Sequence, residues 1–387
     1  MMSLIISRRI EFDLLRGFRL SLLSLLVGLA LSACANRPAT LPEIDPANFE
    51  GNVKDIFVVT NRAPIEDDLI RFGDERSDTV SYEEVSVWTP QDRPPGSVVY
   101  PSKQPDPSEE FAVTGITDLD ADAFDAALKQ RVDAMTGQKL VFIFVHGYNV
   151  AYANGIYRHA QLLEDFEARG VAIHFSWPSS GQTLGYLYDR DSVQFARDAL
   201  VDTIRKAAAS GADSIFLMGH SMGTLLVMES LRQLSIAGDD ETLDMIGPLV
   251  LASPDIDIDV FRSQFEVLSH RPEPFVIFVS KEDGALSVSE RLRGGRARVG
   301  TGSNIAVLQD NGIVVIDLSE LDVGVGTKHA AFASSPALIR ALKEVNISQQ
   351  TQVSADRAED RFAPLLVLRD LTAGIVHLPR EVARGGN

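Results

Sequence analysis

A serine between two glycines is the feature of this chain with the clearest chemical meaning. Residues 219–223 read Gly-His-Ser-Met-Gly, with Ser221 at the centre. An apolar run precedes the motif and a helical pattern follows it, as expected for a strand that turns sharply into a helix. Glycines suit this turn because the backbone doubles back with no room for a Cβ atom. The pattern predicts Ser221 as a nucleophile at a helix N-terminus, where negative charge is favoured.

A serine hydroxyl needs a general base to take its proton, and that base needs a carboxylate to orient it. After such a turn, the chain order is serine, then acid, then histidine. Of the seven histidines, only His329 and His377 follow a plausible acid downstream of Ser221. We favour His329 because it follows a predicted strand at the sheet edge where active-site loops gather, whereas His377 lies in the C-terminal tail.

Two carboxylates compete for the role of orienting acid. Asp283 follows the apolar run 275–280 and precedes a glycine, so its short side chain can be aimed along the sheet edge. Asp255 follows the earlier run 249–252 and is the alternative acid, although helix capping also explains its position. We favour Asp283.

Attack on an acyl carbon places negative charge on the carbonyl oxygen, so two backbone N–H groups must be ready to bind it. Met222, the residue after the serine, is predicted to supply one of them. The loop after the run 139–145 is predicted to supply the other through Tyr148, since Gly147 lets the backbone turn its amides toward the substrate. Other residues are predicted to support these turns without reacting, namely Gly219, His220, Gly223, His146 and Gly147.

Aromatic residues near the same edge are candidates for lining a substrate pocket, namely Trp177, Tyr186 and Tyr188. Packing beneath the loops explains them equally well. The chain has neither a phosphate-binding loop nor the three glycines of a dinucleotide fingerprint, and no zinc-ligand spacing occurs. We therefore expect no cofactor and no metal.

The elements that must position these residues alternate regularly along the chain. Predicted strands cover 53–60, 82–88, 139–145, 171–175, 214–218, 248–252, 274–279 and 313–318. Predicted helices cover 121–135, 152–169, 191–210, the segment after Ser221, 260–268, 287–293 and 330–344. This alternation indicates an α/β fold with a parallel sheet and helices on both faces.

Together these motifs resemble the α/β-hydrolases, in particular a bacterial branch of esterase- and lipase-like proteins of unknown function. The matching segments are 60–62, 145–149, 175–179 with Tyr188 and Asp189, 219–223, 252–257, 280–286 and His329. The resemblance covers about residues 53–345. It implies an α/β-hydrolase fold with a mostly parallel sheet of about eight strands, and Ser221, Asp283 and His329 as a catalytic triad.

The N-terminal residues resemble a bacterial export signal. Four arginines precede the apolar segment 20–31, which is too short for a comfortable membrane span. The sole cysteine, Cys34, closes a Leu-Ser-Ala-Cys sequence that resembles a lipobox, in which the cysteine becomes the acylated first residue. An ordinary signal or an uncleaved anchor helix is the alternative. We expect a signal peptide at 1–33, a Pro-rich tether at 34–51, a hydrolase domain at 52–345 and a tail at 346–387.

The charge and the predicted signal narrow the function. A formal net charge of −18 argues against nucleic acid as a partner, because that affinity rests on neutralising phosphates. We expect an exported protein, lipid-anchored in the bacterial cell envelope and facing the periplasm, that cleaves small-molecule or lipid carboxylic esters. Acyltransferase, thioesterase or amidase chemistry on the same triad is one alternative. A non-catalytic lipoprotein that uses the fold for binding is another.

Overall fold

The computed structural model describes residues 39–303, 308, 311–321, 327–336 and 338–339, and the backbone of 375–377. Its strands are β1 Gly51–Pro64, β2 Phe72–Pro90, β3 Ala112–Leu119, β4 Leu140–Val145, β5 Val171–Ser176, β6 Ser214–His220, β7 Ile246–Ala252, β8 Phe275–Val279, β9 Val314–Asp317 and β10 Ile375–His377. Its helices are α1 Ala121–Asp133, α2 Tyr152–Asp165, α3 Tyr186–Ala209, α4 Met222–Ala237, α5 Asp240–Asp244, α6 Ile258–Val267, α7 Gly284–Leu292 and α8 Ala331–Ser334.

All of these strands belong to one mostly parallel sheet. Their order is β10-β9-β8-β7-β6-β4-β5-β1-β2-β3, which makes ten strands among the described residues where about eight were expected. The strands from β10 to β1 are paired in parallel, whereas β2 runs antiparallel to β1 and β3 antiparallel to β2. The carboxyl ends of the parallel strands therefore meet at one edge, where the predicted catalytic residues lie.

Both faces of the sheet are covered, which explains the continuous apolar runs of the central strands. Along β4, Val141, Ile143 and Val145 enter one hydrophobic core, and the alternate residues Leu140, Phe142 and Phe144 enter the other. This alternation follows from the two-residue period of a strand. The sheet is thus a rigid base for the loops at its carboxyl edge.

The antiparallel edge was only partly predicted. The strand β3 was missed, because its sequence AVTGITDL contains a glycine and polar residues and carries a weak strand signal. The strand β2 begins ten residues before the predicted start at 82, since polar residues with no apolar alternation pair with the far end of β1. Backbone pairing, which needs no particular side chain, extends both elements.

Residues 39–44 pack on the domain, so the prediction of a tether through residue 51 was wrong for this part. Leu41 is buried and its N–H donates to the Leu69 carbonyl (2.7 Å). The Ala39 N–H donates to Asn154 Oδ1 (3.0 Å) in the first turn of α2. A polar, Pro-rich composition suggested a tether, but Ala39, Leu41 and Pro42 are buried on the domain.

Several predictions concern residues outside the described ranges. These are the signal peptide, Cys34, the end of the helix predicted at 330–344, and most of the tail at 346–387. Within that tail, residues 375–377 pair in parallel with β9, which places His377 in a strand rather than in an irregular segment. Among the helices that the structure does describe, none has the length and hydropathy needed to span a membrane.

A buried histidine gives the fold an acid-sensitive position. His159 on α2 packs against the rings of Phe142 (4.9 Å between centroids) and Phe144 (5.3 Å). Neither of its ring nitrogens has a hydrogen-bond partner among the described residues. Burial lowers the pKa of His159 to about 3, so the folded protein holds this ring neutral at physiological pH.

We therefore expect acid to destabilise the fold through His159. The unfolded chain binds this proton near its usual pKa of about 6.5, so the free energy of unfolding falls as pH drops from about 6.5 toward 3. Replacement by leucine removes this site, and His159→Leu should lose about 2 kcal/mol less stability than the parent between pH 7.5 and 4.5. Urea unfolding at both pH values measures the difference. An identical loss in both proteins would contradict the assignment.

Candidate active site

Ser221 occupies a strained turn between β6 and α4. Its backbone angles are φ 52° and ψ −121°, a region that residues other than glycine adopt at a cost of about 1–3 kcal/mol. The Ser221 N–H donates to the Ala252 carbonyl at the end of β7 (2.9 Å). A Cβ atom on Gly223 would lie 2.2 Å from the His146 carbonyl oxygen, and one on Gly219 would lie 3.0 Å from Thr224 Cα. Close packing on both sides therefore holds the serine in this geometry.

Asp283 and His329 are brought together at the same edge of the sheet. Asp283 is buried at the N-cap of α7, where its Oδ1 accepts from the Leu286 N–H (3.0 Å). Its Oδ2 lies 2.8 Å from His329 Nδ1. An ionised carboxylate only accepts hydrogen bonds, so this contact places the proton of a neutral imidazole on Nδ1 and leaves Nε2 basic.

The backbone of His329 is hydrogen-bonded to the turn that carries Ser221. Its carbonyl oxygen lies 3.1 Å from His220 Nε2 and accepts from Ser253 Oγ (3.0 Å). The His220 and His329 rings are 4.9 Å apart between centroids. Among the described residues, no hydrogen bond joins the Ser221 hydroxyl to His329. In free enzymes such bonds are often long or poorly aligned. The proton transfer predicted from the sequence requires this bond to form.

Asp255, the alternative acid, lies in a different polar cluster. Its Oδ2 accepts from the Tyr186 hydroxyl (2.8 Å) and its Oδ1 from Ser289 Oγ (2.6 Å). The buried Arg298 guanidinium lies 3.3 Å from Oδ1, close enough for an ion pair although its N–H groups make no hydrogen bond with described residues. The capping role considered for Asp255 is filled by Asp257, which accepts from the second N–H of α6. The structure does not bring Asp255 to His329.

The loop after β4 lies directly against the serine. A Cβ atom on Gly147 would come within 2.8 Å of both Ser221 Cβ and His220 Nδ1. Only glycine allows this approach, since real Cβ atoms do not come so close to other heavy atoms. The loop that begins at Gly147 therefore lies against the Ser221 side chain.

Two backbone amides near the serine differ from their neighbours in their hydrogen bonds. The Asn149 N–H donates to Asp189 Oδ2 (3.2 Å), and the Val150 N–H donates to a serine hydroxyl (3.1 Å). By contrast, the N–H groups of Tyr148 and Met222 have no acceptor among the described residues. The sequence predicts that these two amides, of Tyr148 and Met222, bind an oxyanion.

A buried arginine forms hydrogen bonds with the backbone of this loop. No role was predicted for it from the sequence. Arg62 on β1 is fully buried and donates to the Val150 carbonyl (2.8 Å) and the Ser179 carbonyl (2.9 Å). Burial lowers the pKa of Arg62 to about 10, although the nearby Asp189 carboxylate opposes this shift. Arg62 thus stays charged at neutral pH. A lone arginine ending an apolar strand is the signal that could have identified it.

The aromatic residues predicted to line a substrate pocket differ in exposure, since Trp177 is buried and Tyr188 is exposed. Trp177 is buried, stacks on the His146 ring (4.9 Å) and donates from Nε1 to the His146 carbonyl (2.7 Å). The Tyr188 hydroxyl donates to the Asp74 carbonyl (2.8 Å) on β2. Trp177 is therefore not free to line a pocket, because its polar tip finds a backbone acceptor and its ring is covered. The pocket role of Tyr188, which is 37% exposed, stays a prediction. Tyr186 lies against the loop after β4, since its ring centroid is 5.5 Å from that of Tyr148.

Three histidines lie side by side beneath the site. His146 and His174 are 5.7 Å apart between ring centroids, and His174 and His159 are 5.8 Å apart. Burial lowers the pKa of all three, that of His146 to about 3. In the part of the chain that the structure describes, no three His, Cys, Asp or Glu side chains are grouped to hold a metal ion. The row is therefore a set of neutral packed rings.

Gly147→Ala tests the close approach of the loop. The added methyl must displace Ser221 or the loop. If the protein hydrolyses esters with an oxyanion donor on this loop, as the sequence predicts, kcat/KM for a short ester should fall about 10²–10³-fold, the cost of losing one such donor. Gly115→Ala is the matched control, since a Cβ there has nothing within 4 Å. Ester kinetics and thermal melting of both proteins measure the effect. Parent-like turnover by the Gly147 variant would contradict the proximity of this loop to the reaction.

A serine at a strand–turn–helix elbow and an Asp–His pair, all at the carboxyl edge of a mostly parallel sheet, define an α/β-hydrolase. The chain belongs to the family described as alpha/beta hydrolase of unknown function (DUF900), whose model matches residues 120–346. That span includes Ser221, Asp283 and His329, but not β1 to β3. No curated protein matches the chain.

Solved structures with similarity to this chain include three hydrolases. A hyperthermophilic esterase from the archaeon Pyrobaculum calidifontis is 11% identical, covers 81% of this chain and 88% of its own, and has a TM-score of 0.31. A fungal esterase from Rhizomucor miehei is 13% identical, with 84% and 96% covered and a TM-score of 0.36. A thioesterase from the prodiginine pathway of Streptomyces coelicolor is 15% identical, with 55% and 94% covered and a TM-score of 0.27.

Proposed function

We propose that this protein is a serine hydrolase that cleaves carboxylic esters through an acyl-enzyme on Ser221. The observation that carries the proposal is the 2.8 Å contact between His329 Nδ1 and the buried Asp283 carboxylate. It lies beside a serine held in strained backbone geometry at a helix N-terminus. Strain of this kind persists where the surrounding structure holds a functional geometry.

In the proposed reaction, His329 Nε2 takes the proton of the Ser221 hydroxyl while its oxygen attacks the acyl carbon. Asp283 fixes the tautomer and stabilises the imidazolium that forms. The negative oxygen of the tetrahedral intermediate accepts from the Met222 and Tyr148 amides. His329 then protonates the departing alcohol, so the C–O bond to it breaks and an acyl ester on Ser221 remains. Water attacks this ester with the same base, which releases the acid and restores the serine.

Trapping the acyl-enzyme tests this function. The full chain is mixed with p-nitrophenyl acetate and its intact mass is measured within the first turnovers. We expect a mass gain of one acetyl group and a burst of p-nitrophenol. Ser235→Ala, which removes a hydroxyl from the far end of the same helix, should behave like the parent. The absence of both acylation and turnover would indicate a binding lipoprotein, and transfer to added alcohols or amines in preference to water would indicate an acyltransferase.

We also propose that the chain is exported and lipid-anchored through Cys34. The support is the position of the sole cysteine after a basic and then apolar segment. Metabolic labelling with a radioactive fatty acid in a bacterial host tests this. The parent should incorporate label and Cys34→Ser should not. Equal labelling of both proteins would contradict the anchor.

A further inference from the structure

The rim of the candidate active site carries unusually exposed apolar side chains. The three most exposed large apolar residues that the structure describes are Leu184, Leu187 and Leu292, at 93%, 77% and 66% of their full accessible surface. Val288 is exposed at 54%. Single exposed apolar residues are ordinary, whereas a group of them marks an interaction surface. We call these four residues the rim patch.

A hydrogen bond joins the elements that carry the rim patch. The Tyr186 hydroxyl and Ser289 Oγ are 2.8 Å apart, which joins the first turn of α3 to α7. Leu187 follows Tyr186, and Val288 precedes Ser289. Leu292 lies one helical turn beyond Val288 on the exposed side of α7.

The elements that carry the rim patch also contact the proposed catalytic machinery. The Tyr148 hydroxyl donates to the carbonyl oxygens of Gln182 (3.3 Å) and Thr183, so the loop that ends in Leu184 is held by the residue whose amide is proposed to bind the oxyanion. On the other side, α7 begins at the N-cap Asp283, which holds His329. A surface that binds the rim patch would therefore present its molecules to the serine.

The charge beside the rim patch is opposite to that of the chain. Residues 290–298 contain four arginines and one glutamate, in a chain with a formal net charge of −18. Arg291, Arg293 and Arg296 are exposed. Among the described residues, Arg291 and Arg293 form no ion pair, and Arg296 has only a 3.9 Å contact with an exposed aspartate. Unpaired arginines beside exposed leucines suit phosphate headgroups above acyl chains.

We infer that the rim patch docks the domain on an anionic lipid bilayer and that the ester substrate is a lipid of that bilayer. The substrate class rests on the proposed hydrolase function, whereas the docking does not. The chain enters the domain at the same edge, since Ala39 is bonded to Asn154 in the first turn of α2. Cys34 lies five residues earlier.

A tryptophan placed in the rim patch tests the docking directly. The native Trp88 and Trp177 are both buried, so Leu184→Trp adds one exposed indole. The full-length variant is mixed with phosphatidylcholine vesicles that carry brominated acyl chains, with or without phosphatidylglycerol. Ile236→Trp is the matched control, because Ile236 is also exposed (56%) but lies at the far end of α4, about 20 Å from Ser221. Both variants have the same N-terminal segment, so they differ only in the position of the added indole.

We expect bromine to quench the indole at position 184 when phosphatidylglycerol is present, and to leave the indole at position 236 unquenched. Adding Arg291→Glu and Arg293→Glu should shift the ratio of docked to undocked protein at least about thirtyfold toward undocked. Arg169→Glu, at the opposite edge of the sheet, should leave that ratio unchanged. Equal quenching at positions 184 and 236, or quenching that is independent of anionic lipid, would overturn the docking. A rim patch covered by the tail, a second copy or another protein would give the first of these results.

Kinetics separate the docking from the proposed chemistry. The arginine double variant should hydrolyse a soluble short ester at the parental rate but lose at least about tenfold on a vesicle-embedded ester. Equal rates on both substrates would overturn the lipid substrate class. If the parent itself cleaves neither ester, the hydrolase proposal fails, while the quenching experiment still decides the docking.

Discussion

Replacement of Ser221 by alanine is expected to lower kcat/KM for a short p-nitrophenyl ester by at least about 10⁴-fold. The hydroxyl is the only group in the proposed mechanism that bonds to the acyl carbon, so no neighbour can supply its role. What remains is the modest catalysis due to the two amides and to substrate binding. Steady-state kinetics on purified parent and variant measure the loss. Equal hydrolysis by both proteins would contradict the nucleophile.

Ser221→Gly separates the loss of the nucleophile from a loss of folding. Glycine adopts φ 52° and ψ −121° freely, whereas serine is strained there. We expect the glycine variant to be as inactive as the alanine variant but to melt about 2 °C above the parent, because about 1 kcal/mol of strain is removed. A melting temperature of the glycine variant below that of the parent would contradict backbone strain at Ser221.

Asp283→Asn is expected to reduce kcat for the same ester about 10⁴-fold while leaving the fold intact. Asparagine caps helices as well as aspartate does, so the contact to the Leu286 N–H and the stability of α7 should survive. Its amide, however, donates toward His329 Nδ1 and favours the tautomer whose proton sits on Nε2, where a base is needed. Kinetics and thermal melting of the same sample measure the two effects.

Two further variants control the assignment of the acid. Asp283→Ala should be equally slow and also lose about 1 kcal/mol of stability, because the helix cap is removed. Asp255→Asn should instead cost stability, because it leaves the buried Arg298 without its ion pair, by about 3–5 kcal/mol. At a temperature where this variant is folded, it should retain most of its turnover. If the Asp255→Asn protein were folded but inactive and the Asp283→Asn protein were active, Asp255 rather than Asp283 would be the orienting acid.

The central elements of the site could be predicted because each carries a local signal. The turn at Ser221 needs glycines on both sides, and the strand before it must be apolar on both faces. Chain order then left few histidines to choose from. Asp283 was preferred for its position after β8 and beside Gly284, and the structure brings it to His329. The mostly parallel sheet followed from the regular alternation of apolar runs and helical patterns.

The rest depended on contacts between residues far apart in the chain. Arg62 and Val150 are 88 positions apart, and no local pattern predicts that one braces the other. Trp177 could be placed near the edge of the sheet, but its orientation follows from an acceptor on His146 that only the folded chain supplies. The segment around Leu41 has no periodic pattern of apolar residues, so it was predicted to be a tether rather than a packed part of the domain. Long-range packing overrides local composition at each of these points.

Labelling with a fluorophosphonate tests most directly whether Ser221 is activated by His329 and Asp283. This reagent phosphonylates a serine only where a base activates the hydroxyl and amides hold the oxyanion. We predict that the full chain is labelled on the peptide containing Ser221, that Asp283→Asn reacts far more slowly, and that Ser221→Ala is not labelled. An unlabelled parent, or a Ser221→Ala protein labelled like the parent, would contradict the account.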